Sequence, residues 1–140
     1  MATQPREFYV THVIPYITTG SQEFPSWFND RGCDVTFVEA SFMSKHAITG
    51  STTAYQGVAA HLVTSAGVHT TSLASYSYDA ASKSATAYVA QALTLTGTTA
   101  DLVIADGAGI ALSSTITGSN TTISTGSLIQ IRLREGSDTG

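Results

Sequence analysis

The sequence predicts an all-β protein, an antiparallel β-sandwich of jelly-roll type with an extended N-terminal arm. Three observations lead there. Ser, Thr, Val, Ile, Tyr and Gly dominate the chain, and its apolar residues recur at period two rather than 3.6. Turn signals built on Gly, Asp and Asn return at short, even spacing, as they do in sandwiches and barrels. Charge is scarce: ten acidic and six basic residues make up 11% of the 140, against about a quarter in ordinary soluble domains.

The elements follow in order. Residues 7–14, Glu-Phe-Tyr-Val-Thr-His-Val-Ile, are β-branched and aromatic, and Pro15 stops or edges that strand. Residues 23–30 break the rhythm, with Phe24, Trp27 and Phe28 at the i, i+3, i+4 spacing of a helix. A short helical turn or packed loop is expected there, closed by a turn at Asn29-Asp30-Arg31-Gly32. Asp34 to Lys45 reads as a long strand whose apolar phase slips by one residue, from Val35 and Phe37 to Val38, Ala40 and Phe42. A β-bulge produces that slip. A loop over 48–53 follows. Residues 55–64 and 68–78 then form a hairpin across Ser65-Ala66-Gly67.

A turn at 79–82 leads into a strand over 84–95. Turns at 97–100 and at Asp106-Gly107-Ala108-Gly109 bracket Leu102-Val103-Ile104, and Ile110 to Leu112 follows. Segments 115–117 and 121–125 flank a Gly118-Ser119-Asn120 turn. In the last strand, 127–134, Ile129, Ile131 and Leu133 point inward while Gln130, Arg132 and Arg134 point outward. The count is about eight to ten strands. The chain divides into an arm with an aromatic loop (1–33), a sandwich body (34–134) and a polar tail (135–140).

The charge distribution narrows the function. No Asp, Glu, Lys or Arg occurs over 46–78, 84–100 or 107–131, while Ser and Thr number 39. Soluble monomers keep interspersed charges on their surfaces. Here hydroxyls must carry the solvent face, or another protein must cover it. The net charge of −4 and the scattered basic residues (Arg6, Arg31, Lys45, Lys83, Arg132, Arg134) are opposite to a phosphate-tracking surface. No stretch reaches the roughly 20 apolar residues of a spanning helix, and the N-terminus shows no apolar signal core. The expectation is therefore no nucleic-acid partner, no membrane, and synthesis in the cytoplasm.

Catalytic patterns are missing. There is no phosphate-binding G-x-x-x-x-G-K-[ST] loop and no G-x-S-x-G elbow, and Gly107 and Gly109 lack the third glycine of a dinucleotide loop. Asp79, Asp101 and Asp106 adjoin turns, which their side chains favour. A calcium site would need several more converging oxygens. No two of His12, His46, His61 and His69 share an H-x-H or H-x-x-x-H ligand spacing; a metal site built from His61 and His69 across the hairpin would need at least one more well-placed ligand. Cys33 reads as a small buried residue, and no disulfide, metal or cofactor is expected. Tyr76, Tyr78 and Tyr88, with Asp79 nearby, are the grouping for a sugar-binding face; Tyr residues on strands also pack across them. Phe24, Trp27 and Phe28 either cap an open end of the sandwich or anchor an interface.

The stretch from Leu93 through Thr94-Leu95-Thr96-Gly97-Thr98-Thr99-Ala100 and Asp101-Leu102-Val103-Ile104-Ala105-Asp106-Gly107-Ala108-Gly109 to Ile110-Ala111-Leu112, then a Gly/Ser/Thr loop and Gly126-Ser127-Leu128-Ile129-Gln130-Ile131-Arg132-Leu133-Arg134, resembles the closing strands of small virion β-sandwich proteins of tailed bacteriophages. These include capsid decoration (cement) proteins and head- or tail-fibre modules. The resemblance implies a non-enzymatic protein of the capsid exterior that binds the major capsid protein as a homotrimer and stabilises the phage head. The alternative is a fibre module that binds a host-surface glycan. Six of the chain's aromatics, Phe8, Tyr9, Tyr16, Phe24, Trp27 and Phe28, fall within its first 30 residues. They are the expected partner-binding residues, on an arm expected to be separable from the body.

Overall fold

The computed structural model describes residues 6–14, 22–96, 98, 102–118 and 127–136. Within them lie ten strands: β1 (Glu7–Val13), β2 (Gln22–Phe28), β3 (Val35–Met43), β4 (Tyr55–Val63), β5 (His69–Ser77), β6 (Ala90–Ala92), β7 (Thr94–Leu95), β8 (Val103–Ile104), β9 (Gly109–Thr117) and β10 (Leu128–Glu135). No helix occurs among the described residues. Two antiparallel sheets pack face to face. One runs β1-β10-β3-β6, with β8 also paired to β3; the other runs β2-β9-β4-β5-β7. With the two-residue β7 and β8 set aside, strands first, eighth, third and sixth make one sheet, and second, seventh, fourth and fifth make the other. That interleaving is the double Greek key of a jelly roll.

The core is the apolar half of each alternation. From the first sheet come Val35, Phe37, Ala40 and Phe42 of β3 and Ile129, Ile131 and Leu133 of β10. From the second come Val58 and Ala60 of β4, Leu73 and Ala74 of β5, and Ile110 and Leu112 of β9. Rings join the sheets: Phe42 meets Tyr78 at 6.3 Å between centroids, and Phe8 meets Trp27 at 5.7 Å.

The expected phase slip in β3 is a bulge. Arg132 of β10 pairs with Glu39 and Leu133 with Phe37, so Val38 is the extra residue. It lets Phe37 and Ala40, three apart, both face inward. The hairpin also forms as expected: Thr64 N donates to Val68 O and Gly67 N to Thr64 O, with Gly67 at φ +81°. In the 105–108 turn Ala108 N donates to Ala105 O, and Gly107 takes the left-handed position at φ +88°.

Three expectations are corrected. Residues 22–28 are strand β2, not a helical turn: Pro25 pairs with Ala111 and Trp27 with Ile110, so Ser26 is a bulge. The helix-like Phe24-to-Trp27 spacing is the trace of that bulge, which turns both rings inward. Residues 84–89 do not continue a strand. Val89 N donates to Thr86 O, and Tyr88 sits at φ 63°, which breaks the extended run; only β6, β7 and an isolated Ile48–Ala85 bridge remain. Segments 110–112 and 115–117 are one continuous strand, β9, because Ser113 and Ser114 fill ladder positions opposite β4.

The described parts of the arm are strands of the sandwich. All seven residues of β1 pair with β10, from Glu7–Arg134 to Val13–Leu128, and β2 forms an edge of the second sheet. The β2 exit is pinned by Asn29, which is fully buried. Its Nδ2 donates to Cys33 O (2.8 Å) and Ile104 O (3.0 Å), its Oδ1 accepts from Arg31 N, and its backbone exchanges bonds with Ala108 and Gly107. Cys33, expected to be buried, is exposed just beyond this turn.

Two outcomes follow. Asn29→Ala orphans two carbonyls beside a buried turn and is expected to cost about 2–4 kcal/mol in urea unfolding. Deleting residues 1–13 strips β1 from β10 and removes Phe8 and Val10 from the core, so the melting temperature should fall sharply; an unchanged melting temperature would restore the separable arm.

Candidate functional site

The two outer faces differ in chemistry. On the outer face of the first sheet, Val13 pairs with Leu128, Leu128 with Met43, and Met43 with Ala90. Cross-strand partners share a face, and Val13 is 57% exposed, so this apolar row looks to solvent. Val89 and Tyr88, exposed by 56% and 65%, precede Ala90 in the chain. Two rows further along β1, Tyr9 pairs with Arg132 and Arg132 with Glu39. There the Arg132 guanidinium lies between Glu39 (3.6 Å) and Glu7 (3.8 Å). These are half-exposed pairs worth little individually.

The outer face of the second sheet carries an open groove of about 420 Å³. Buried Gly57 and half-buried Ala59 of β4 lie between its two walls. Four hydroxyls line it, Ser75 and Ser77 from β5 and Ser113 and Thr115 from β9. Register explains the alignment: Ala59 pairs with both Ser75 and Ser113, and Gly57 with both Ser77 and Thr115. At one end sit Glu23, His61 and His69. The imidazoles of His61 and His69 are 4.7 Å apart between centroids. His61 Nε2 and Ser113 Oγ share a 2.9 Å hydrogen bond, and His69 Nε2 lies 3.2 Å from Glu23 Oε1. Burial first, then the neighbouring His69, holds the His61 pKa below its ordinary 6.5, with Glu23 opposing.

Ser113 and His61 are within the range of a nucleophile and its base. The carboxylate touches His69 rather than His61, so the base has no carboxylate to orient it, and the order of a serine–histidine–acid triad is not reproduced. Across the hairpin His61 and His69 do meet. Among the described residues, no three His, Cys, Asp or Glu side chains form a metal-holding group.

The expected partner-binding residues divide. Phe8, Phe24 and Trp27 are half-buried and turned between the sheets, Phe8 on Trp27 and Phe24 stacked on His12 at 4.8 Å. They close one side of the sandwich. Arg31 covers the Phe8 ring at 3.7 Å and pairs with Glu135. Tyr9 and Phe28 face outward, 58% and 65% exposed. Tyr16 lies outside the described residues. The tyrosine grouping for a sugar does not assemble. Tyr78 is fully buried, its hydroxyl pushed up to about 12 by burial and by Tyr76, and Tyr88 stands on the loop beside β3, where its N–H donates to Ser44 O. The serine, histidine and glutamate arrangement escaped sequence reading because its members come from four strands; only the hairpin placement of His61 and His69 signalled it.

No protein-family model and no curated protein matches the chain. Among solved structures it is similar to a CocE/NonD family hydrolase from Staphylococcus aureus, at 10% identity and a TM-score of 0.38, over 94% of this chain and 36% of that one. It is also similar to a structure of infectious bursal disease virus, Gx strain (14% identity, TM-score 0.35, 99% and 38% covered). A mutant VP2 protein of that virus in T=1 particles gives 14%, 0.32, 98% and 37%. The chain spans little more than a third of each of these, and at such scores the likeness carries no functional argument.

The groove gives a pH dependence. Because the folded state holds His61 below 6.5, the unfolded chain takes up the proton first as pH falls. This contribution to stability is complete above about pH 6.5 and is lost as pH drops toward the folded value. Urea midpoints at neutral and mildly acidic pH should show that fall, and His61→Gln should flatten it.

Proposed function

We propose that this chain is a structural protein of a virion exterior, a capsid decoration protein that binds the major capsid protein as a homotrimer and stabilises the head. It works by binding and performs no catalysis. The observation that carries the reading is the outward apolar row Val13–Leu128–Met43–Ala90, exposed at Val13 and half-buried at Leu128 and Met43, with exposed Val89 and Tyr88 just before Ala90 in the chain, on a rigid jelly roll poor in charge. Large apolar side chains in water mark an association surface when they are contiguous, and depletion of charge with aromatic enrichment is the signature of an interface centre. Tyr88 adds strain to exposure. A bulky residue at φ 63° is a backbone outlier, held where it presents an aromatic ring outward.

The mechanism is mass action. A protein that binds only the assembled shell shifts the shell's equilibrium toward assembly by its binding free energy. A rigid sandwich transmits that without an entropic cost of ordering. A closed trimer shields exposed edges such as β1, which would otherwise recruit strands without limit.

Tyr88→Gly separates folding from attachment. Glycine relieves the left-handed backbone and gives up some chain entropy, so stability should stay within about 1 kcal/mol of the parent. Occupancy on heads should nonetheless fall, and Val13→Asp should lower it further. The free protein should scatter light as a trimer, and heads lacking it should disrupt at lower temperature. A monomer that attaches singly, with head stability unchanged, would overturn the proposal.

A further inference from the structure

From the chemistry of its lining, we propose that the groove on the outer face of the second sheet is a binding site for a neutral saccharide, taken as a terminal or branch residue of a larger glycan. The site lies on the sheet opposite the apolar row, so it stays open to the medium when that row is covered, and it stands independently of any seat on a capsid.

Size comes first. About 420 Å³ falls within the roughly 300–1,000 Å³ of small-molecule sites. The groove is open along its length, so it takes the end or side of a chain rather than enclosing a free molecule.

Charge comes second. No Lys or Arg lines the groove, and its one carboxylate, Glu23, sits at the end. A phosphate, sulfate or carboxylate would find no guanidinium or ammonium there and would meet Glu23.

Hydrogen bonding comes third. The hydroxyls of Ser75, Ser77, Ser113 and Thr115 both donate and accept. So does a neutral imidazole through its two nitrogens, while Glu23 only accepts. Ligand groups that suit such a set must do both, as sugar hydroxyls do. The groups are also held in place: Ser113 by His61, and Glu23 by His69. Such preorganisation limits the ordering cost of binding.

The stretch of β4 between the walls comes last. Ala59 is half-buried between Ser75 and Ser113, whereas Gly57 is buried, and Thr115 Oγ1 donates to its carbonyl at 3.3 Å. A Cβ on Gly57 would stand 2.8 Å from Thr115 Oγ1 and 3.0 Å from Ser77 Oγ, filling the space between them. A pyranose ring can set its C–H face against the Ala59 methyl with its hydroxyls turned to Ser75 and Ser113.

The test is amide-shift NMR on the full chain, titrated with neutral trisaccharides built on galactose, glucose, mannose or N-acetylglucosamine, and with sialyllactose as an anionic counterpart. At least one neutral trisaccharide should shift groove amides of β4, β5 and β9 at about 10 mM, beyond the millimolar range of weak ligands. Ser113→Ala should weaken that sugar about five- to tenfold, one hydrogen bond's worth. Ala59→Gln and Ser75→Gln each raise a side chain into the groove from an outward position and should abolish binding with the far-UV spectrum unchanged. Val13→Asp, on the opposite sheet, should leave sugar binding intact while lowering head occupancy, so failure of one reading is distinguishable from failure of the other. No shift with any neutral sugar, shifts confined to the opposite sheet, preference for sialyllactose, or unaltered binding in both groove-filling variants would each overturn the site.

Discussion

The first sheet hangs on β3. This strand pairs with β10 along one side and with both β6 and β8 along the other, and it delivers Val35, Phe37, Ala40 and Phe42 to the core. A regular strand cannot do so, since Phe37 and Ala40 would point to opposite faces. The extra residue at Val38 resolves the conflict. It resets the alternation so that the early part of β3 meets β8 and the later part meets β6, both with apolar side chains inward. Phe42 then lies against Tyr78 of the second sheet. Without the bulge, either half of β3 would turn its core residues to water.

A second bulge, at Ser26, does the same at the sandwich's open side. It sets Phe24 and Trp27 of β2 inward against His12 and Phe8 of β1. The N-terminal strands thus close the barrel-like gap between the sheets, and Arg31 covers the seam through its stack on Phe8 and its pair with Glu135. Edge strands are the part of a sandwich most open to unwanted pairing. Pro25, which has no backbone N–H to offer, and the bulge beside it blunt β2.

The scarcity of charge shows in how the two outer faces are solvated. On the second sheet, serine and threonine occupy the outward ladder positions, and small residues between them leave a groove. On the first, the outward positions mix a charged row around Arg132 with the apolar row Val13–Leu128–Met43–Ala90. A hydroxyl face is compatible with water without long side chains, so it remains shallow and smooth. The apolar row is not, and that contrast gives the molecule two chemically different sides.

Much of this was legible in the chain. The Ser65-Ala66-Gly67 hairpin, the 106–109 turn, the alternation of the last strand and the Val38 phase slip all depend on neighbours within a few residues, where turn chemistry and period two act directly. The sequence by itself therefore determined an antiparallel sandwich with its inward and outward sets. Only the tertiary structure decided that residues 7–13 and 22–28 are strands of that sandwich, that Asn29 is a buried pin, that Cys33 is exposed, and that Glu23, His61, His69 and Ser113 share one groove. Strand partners far apart in sequence bring those groups together, and a bulge imitates helical spacing, so no local pattern carries the information. Cross-strand register, settled by burial of both inner faces at once, does.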